Sequence, residues 1–202
     1  MEALLVLPLL FVVFAALRAR EQARRIALLG GVLSSYRIEP LMENLTEGYL
    51  RWLSEPDADR RAQVWNNLQG MAQMLADQFG RFAADFARHV PAPSAQMSKL
   101  PFALPLAPQL LPRAWFFDAR ALFELHARGI AAVALNTAQH SDKDQAFTMT
   151  AELYLMQHSC HWFCRSRTVA SARLLARHRT SHEQVLAAVS PETRRDYRAL
   201  VA

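Results

Sequence analysis

Glycine is scarce in this chain, with six in 202 residues. So few glycines argue against most glycine-cradled phosphate loops and against a fold of many tight hairpins, both of which place glycine where φ is positive. Cysteine occurs only at Cys160 and Cys164, too few for a multi-disulfide framework. Lysine is confined to Lys99 and Lys143, and arginine supplies the other 21 of the 23 basic residues. With abundant alanine, this bias points to a GC-rich coding sequence and weakens the case for nucleic-acid recognition. Also missing are a Gly-x-Ser-x-Gly elbow, a His-Glu-x-x-His pair, a Walker loop and a dinucleotide fingerprint. No strand-period alternation and no internal repeat is visible. These absences lean against an enzyme and give no reason to expect a cofactor, although a site assembled from scattered side chains would escape such a search.

Against these absences stands one long uncharged, mostly apolar run, residues 3–17, preceded only by Met1 and Glu2 and followed at once by Arg18, Arg20, Arg24 and Arg25. A cleavable secretory signal carries its positive charge before the apolar stretch. Here it lies behind, and basic residues close to a span tend to stay on the cytoplasmic side. The expectation is an N-terminal membrane anchor over 1–37, ending in a basic juxtamembrane helix, and a cytoplasmic helical domain over 38–202. That places the chain in a bacterial inner membrane as a single-pass protein, with the lipid bilayer as a partner. Fifteen helical residues rise only about 22 Å against a hydrocarbon core of roughly 30 Å. The run is therefore a short span or a deep insertion, with Arg18 and Arg20 snorkelling to the headgroups. A buried core helix of a soluble protein is the competing reading.

The remaining chain is long enough for one domain with a sizeable core, and 52% hydrophobic residues exclude a disordered chain. Net charge is +5, distributed in blocks. Residues 18–37 carry five Arg and one Glu, residues 38–157 ten basic and thirteen acidic side chains, and residues 158–202 eight basic and three acidic ones. Basic ends flanking an acidic middle suit contact with anionic headgroups, and equally suit a solvated, salt-bridged helical surface.

Periodicity predicts an all-α fold, an irregular helical bundle with a Pro-rich apolar connection. The anchor helix runs on to about Tyr36 and breaks at Glu39-Pro40. A short helix follows over 41–53, and Pro56-Asp57 separates it from a long helix over 58–90. Val64, Leu68, Met71, Leu75, Phe79, Phe82 and Phe86 recur there at spacings of three and four. This stripe needs a cover, from the same chain, from a protein partner or from a second copy. Residues 91–112 hold six of the ten prolines and no charge after Lys99. They form either an extended strap over the bundle, the preferred reading, or a loop dipping into the membrane interface with Arg113 and Trp115 at headgroup level. Helices are expected over 118–139, from Asp142 to about Arg179, and after Ser190-Pro191.

One constellation carries possible metal chemistry. On a helix, Cys160, His161 and Cys164 fall within about a 100° arc, with His158 some 60° beyond. Zinc needs three or four ligands, so another segment would have to contribute. Buried cysteines and hydrogen-bonded histidines are the more economical reading. Glu152, the one charge on a long apolar stretch, is expected to pair with an arginine, the lesser alternative being a general base with a raised pKa. The function expected is a non-catalytic scaffold, accessory subunit or assembly factor at the membrane's cytoplasmic face, working through helix–helix contacts. The alternatives are a membrane-bound metal or haem protein using His158, Cys160, His161 and Cys164, and a nucleic-acid adaptor using Arg165, Arg167, Arg173, Arg177 and Arg179, the weakest of the three.

Overall fold

A computed structural model describes residues 2–202, with side chains from Leu7 onward. It is all-α, with 78% helix and 3% strand. The described helices are α1 (Glu2–Leu33), α2 (Ile38–Ser54), α3 (Ala58–His89), α4 (Ala107–Leu110), α5 (Ala119–Ala134), α6 (Asp142–Cys164), α7 (Arg167–His178), α8 (His182–Ala188) and α9 (Pro191–Val201). Two short strands, β1 (Gln96–Ser98) and β2 (Phe116–Asp118), pair antiparallel with Met97 opposite Phe117. They lie too close to proline to leave a readable alternation in the sequence.

Short polar side chains start most helices. Asp57, Asp118, Ser141, Ser166 and Ser190 each accept a hydrogen bond from a backbone N–H of the first turn, satisfying a donor the helix leaves open. Ser181 and Gln184 form a reciprocal capping box on α8. The expected break at Glu39-Pro40 falls earlier, at residues 34–37, because Pro40 sits in the first turn of α2, where a missing N–H is harmless. The helix expected from Asp142 to about Arg179 is two: Arg165 leaves the helical region at φ −130°, ψ −90°, and Ser166 caps a new helix. The 118–139 helix ends at Ala134, and Asn136, at φ 48°, ties the following turn to His140 through two hydrogen bonds.

The core lies between α3, α5 and α6. Phe79, Phe82 and Phe86 of α3 meet Phe123 of α5 and Phe163 of α6 without any exposure, with ring centroids 4.8 Å apart for Phe86–Phe123 and 5.5 Å for Phe86–Phe163. Leu68 and Leu75 are buried in the same core, and Val64 and Met71 are half-buried against it. The α3 stripe is thus largely covered by its own chain, by α5 and α2. At the other end of α2, Trp52 and Trp65 pack at 4.7 Å. As its all-round apolar sequence implied, α6 is central, touching α5, α7, α8 and α1.

One expectation fails. Among the described residues no helix is long and apolar enough to cross a membrane, which overturns the single-pass anchor and with it the inner-membrane location and the assigned topology. The reason is length. The uncharged run from residue 3 to Leu17 makes only about 22 Å of helix against a hydrocarbon core of roughly 30 Å, and the next two turns bring Arg18, Arg20, Glu21, Arg24 and Arg25. The side chains at 3–6, the first part of the expected run, lie outside the described ones.

Candidate functional site

The two halves of α1 are treated differently by the fold. The second half is fixed to the body by polar contacts: Arg24 donates to Ser94 Oγ at 2.7 Å, and Arg25 donates to the carbonyls of Gln96 at 3.0 Å and Phe163 at 3.3 Å. Arg25 also pairs with Glu21 at 3.0 Å and lies over the Phe163 ring. Gln22 accepts from Arg165 at 3.2 Å, and Leu29 enters the core. The described side chains ahead of Arg18 are left bare. Every residue from 7 to 17 is exposed, Leu7 at 72%, Phe11 at 71% and Val12 at 60%. Successive residues turn by 100°, so this apolar surface surrounds the helix instead of forming a stripe.

Beside the root of that helix lies the Pro-rich segment. Its base is pinned: Lys99 N–H donates to Trp115 O at 2.9 Å, extending the β1–β2 ladder, and Trp162 Nε1 donates to Ser98 O at 3.2 Å. Thr168 gives Pro101 O both its N–H and its hydroxyl. Pro105, Ala107 and Phe117 are buried, as a strap requires. The tip is different, for Phe102 is 57% exposed, Leu106 49%, Leu110 67% and Trp115 46%. Leu106 holds φ 59°, ψ 16°, a left-handed conformation that costs a non-glycine residue about 1–2 kcal/mol. No core packing of its half-exposed side chain offsets that cost.

Helix and loop share a groove, lined on the α1 side by Arg18 and Gln22, on the loop side by Phe102 and Leu104, and at the floor by Trp162 and Ser166. Arg165 stands at its rim. Of the residues expected at a membrane interface, Arg24 and Arg25 are spent on the body, whereas Arg18, Arg20 and Arg113 form no ion pair and no side-chain hydrogen bond among the described residues. Arg113 and Trp115 lie in the single 3-10 turn that leads into β2.

The His/Cys face of α6 does not assemble. His158 turns inward to Ser171 Oγ at 3.1 Å and packs on His182 at 4.4 Å. His161 instead faces Arg173, 3.3 Å from its Nδ1, and the Cys160 thiol lies against Met156 Sδ. Among the described residues no group of three or more His, Cys, Asp or Glu is placed to hold a metal ion. Burial pushes the Cys160 thiol up to about 12 and raises that of Cys164, leaving both protonated and poor ligands.

Tertiary packing does assemble a buried polar cluster that sequence reasoning missed, since its members come from α5, α6, α8 and α9. His126 lies 2.8 Å from Ser159 Oγ, and His182 lies 3.2 Å from the Tyr197 hydroxyl. Ser159 Oγ donates to Leu155 O at 3.0 Å, so His126 Nε2 is the donor of the pair. A nucleophilic serine needs the opposite arrangement, its proton directed at the histidine. Burial holds His126 and His158 down to about 3, both neutral. Glu152 does not pair with an arginine. Its Oε1 accepts from the Ser190 N–H at 3.0 Å and hydroxyl at 2.8 Å, and burial raises its carboxyl above the usual range.

Several arginines of the basic C-terminal block are engaged, whereas the Arg179 side chain forms no hydrogen bond or ion pair among the described residues. Arg177 pairs with Glu43 at 2.6 Å, Arg167 lies over the Trp162 ring, and Arg173 turns to His161. Compared with models of known protein families, with curated proteins and with solved structures, the chain matches none.

Proposed function

We propose that this protein is a non-catalytic scaffold or accessory factor that attaches to a lipid surface through the first half of α1, inserting without crossing, and holds its helical body against the headgroups. The observation that carries this reading is the unbroken exposure of residues 7–17 on all faces of a helix whose continuation is fixed to the body. An apolar helix exposed all round calls for a cover on every side, which acyl chains supply and a single docked helix does not. Each leucine, valine or phenylalanine transferred from water contributes about 1.5–3 kcal/mol. The uncharged run of residues 3–17, about 22 Å as helix, is deep enough to insert and short of a hydrocarbon core of roughly 30 Å, and Arg18 and Arg20 follow where headgroups would begin. Support for a non-catalytic role comes from the dispersal of the His/Cys face of α6.

Flotation of the full chain with phosphatidylcholine/phosphatidylglycerol vesicles tests the proposal. The protein should rise with the vesicles, and L10E/F14E, which touches no packed residue, should stay at the bottom with an unchanged melt. Vesicle binding unaffected by the two glutamates would overturn it, as would a wild-type chain that ignores vesicles but sediments as a dimer, since the segment would then join copies of the chain.

A further inference from the structure

Resting on that reading, we infer that the tip of the Pro-rich loop is a second, charge-selective lipid contact, so that the protein prefers anionic phospholipid over zwitterionic bilayers. Phe102, Leu106, Leu110 and Trp115 are exposed on one loop, and Phe102 shares a groove wall with Arg18 at the point where α1 leaves the body. Phe102 thus stands beside Arg18 at the root of the apolar rod, and Arg113 lies two residues before Trp115 on the loop itself. Arg18, Arg20 and Arg113 have no partner in the protein among the described residues, and the one acid lining the groove, Glu21, is taken by Arg25. Uncompensated guanidinium groups beside an exposed Trp and leucines complement a surface of phosphate above acyl chains. Guanidinium matches phosphate geometry, and indole favours the headgroup level.

The loop is also built to hold this presentation. Its base is tied to α6 and α7 by Trp162 and Thr168, and Leu106 is kept outward by a left-handed backbone instead of a glycine turn. A solvated spacer would need neither. A protein partner would be expected to offer acids to these arginines and a matching pocket to the leucines; a bilayer offers both chemistries everywhere along its surface.

The experiment compares the full chain with two variants, F102S/L106S/L110S and R18Q/R113Q, on vesicles of phosphatidylcholine alone and with phosphatidylglycerol, after a melt shows that each variant is folded. Wild type should bind the anionic vesicles more tightly, by about fivefold for each arginine in contact, and lose that preference at high salt. R18Q/R113Q should lower the anionic preference at least about tenfold while leaving binding to neutral vesicles intact. The loop variant should weaken binding to both, and acyl-chain bromination should quench Trp fluorescence in wild type but not in W115F to the same degree. Equal affinity of wild type for the two vesicles, or variants that bind as wild type does, would overturn the inference and leave attachment through α1 standing. Conversely, L10E/F14E that still binds anionic vesicles would refute attachment through α1 while the loop contact stood. Binding to no vesicle at all would refute both.

Discussion

Gly129 tests the packing of this fold more sharply than any large core residue. It lies on α5 where α6 and α9 converge, and a methyl group there would meet Glu152 Oε2 at 2.8 Å and press still closer on Thr193 Oγ1. Replacing Gly129 with Ala has two opposed effects. The helix gains about 1 kcal/mol from alanine's propensity over glycine. Overpacking against buried neighbours costs about 1–3 kcal/mol, and displacing Glu152 from Ser190 exposes a further loss of about 1–3 kcal/mol for an unsatisfied buried group. The clash falls on the short side chain of Thr193 and on a carboxyl already held by two hydrogen bonds, so neither can yield cheaply. Gly129→Ala should therefore destabilise the protein by about 1–5 kcal/mol net. Gly80 is the control: it lies within α3 with nothing inside 4 Å of an added Cβ, so Gly80→Ala should stabilise by about 0.5–1 kcal/mol. Urea unfolding of both variants, with slopes unchanged, reads the opposite signs as shifts in midpoint. A Gly129→Ala protein as stable as wild type, or more so, would refute the close approach of α5, α6 and α9.

Acid should unfold the protein from mildly low pH. His126 and His158 are held at about 3 when folded and titrate near 6.5 when unfolded, so their contribution is complete above that value and is lost as pH falls toward 3, by up to about 1.4 kcal/mol per pH unit for each group. Glu152, raised in the fold, acts oppositely, losing stability as pH rises above the ordinary carboxylate range, so the histidines dominate between about pH 6.5 and 4.5; urea midpoints that do not change from pH 7.5 to 5 would contradict this account. Phe82→Ala, which empties the centre of the ring cluster shared with Phe79, Phe86 and Phe123, should cost about 3–5 kcal/mol in a thermal or urea melt, and a loss under 1 kcal/mol would mean that the α3 stripe is not core.

The sequence by itself determined the helical class, the long α3 with its stripe, the centrality of α6 and the special character of the Pro-rich segment. Each is written in local terms: a period of three to four, a caps-and-proline boundary, an apolar run on all faces. The Ser166 cap was also present in the sequence, but the apolar pattern running through Cys164 masked it. Only tertiary structure decided what covers each surface. It assigned the α3 stripe to the chain's own core, because α5 and α2 reach it, and it divided one Pro-rich segment into a buried strap and an exposed tip. It also separated His158 from His161 and gathered His126, Ser159, His182 and Tyr197 from four helices and more than seventy residues of chain. Spacing along a sequence records which residues share a face of one helix. Which face meets protein and which is left bare depends on how helices distant in the chain pack, and that geometry leaves residues 7–17 of α1 exposed while its second half is fixed.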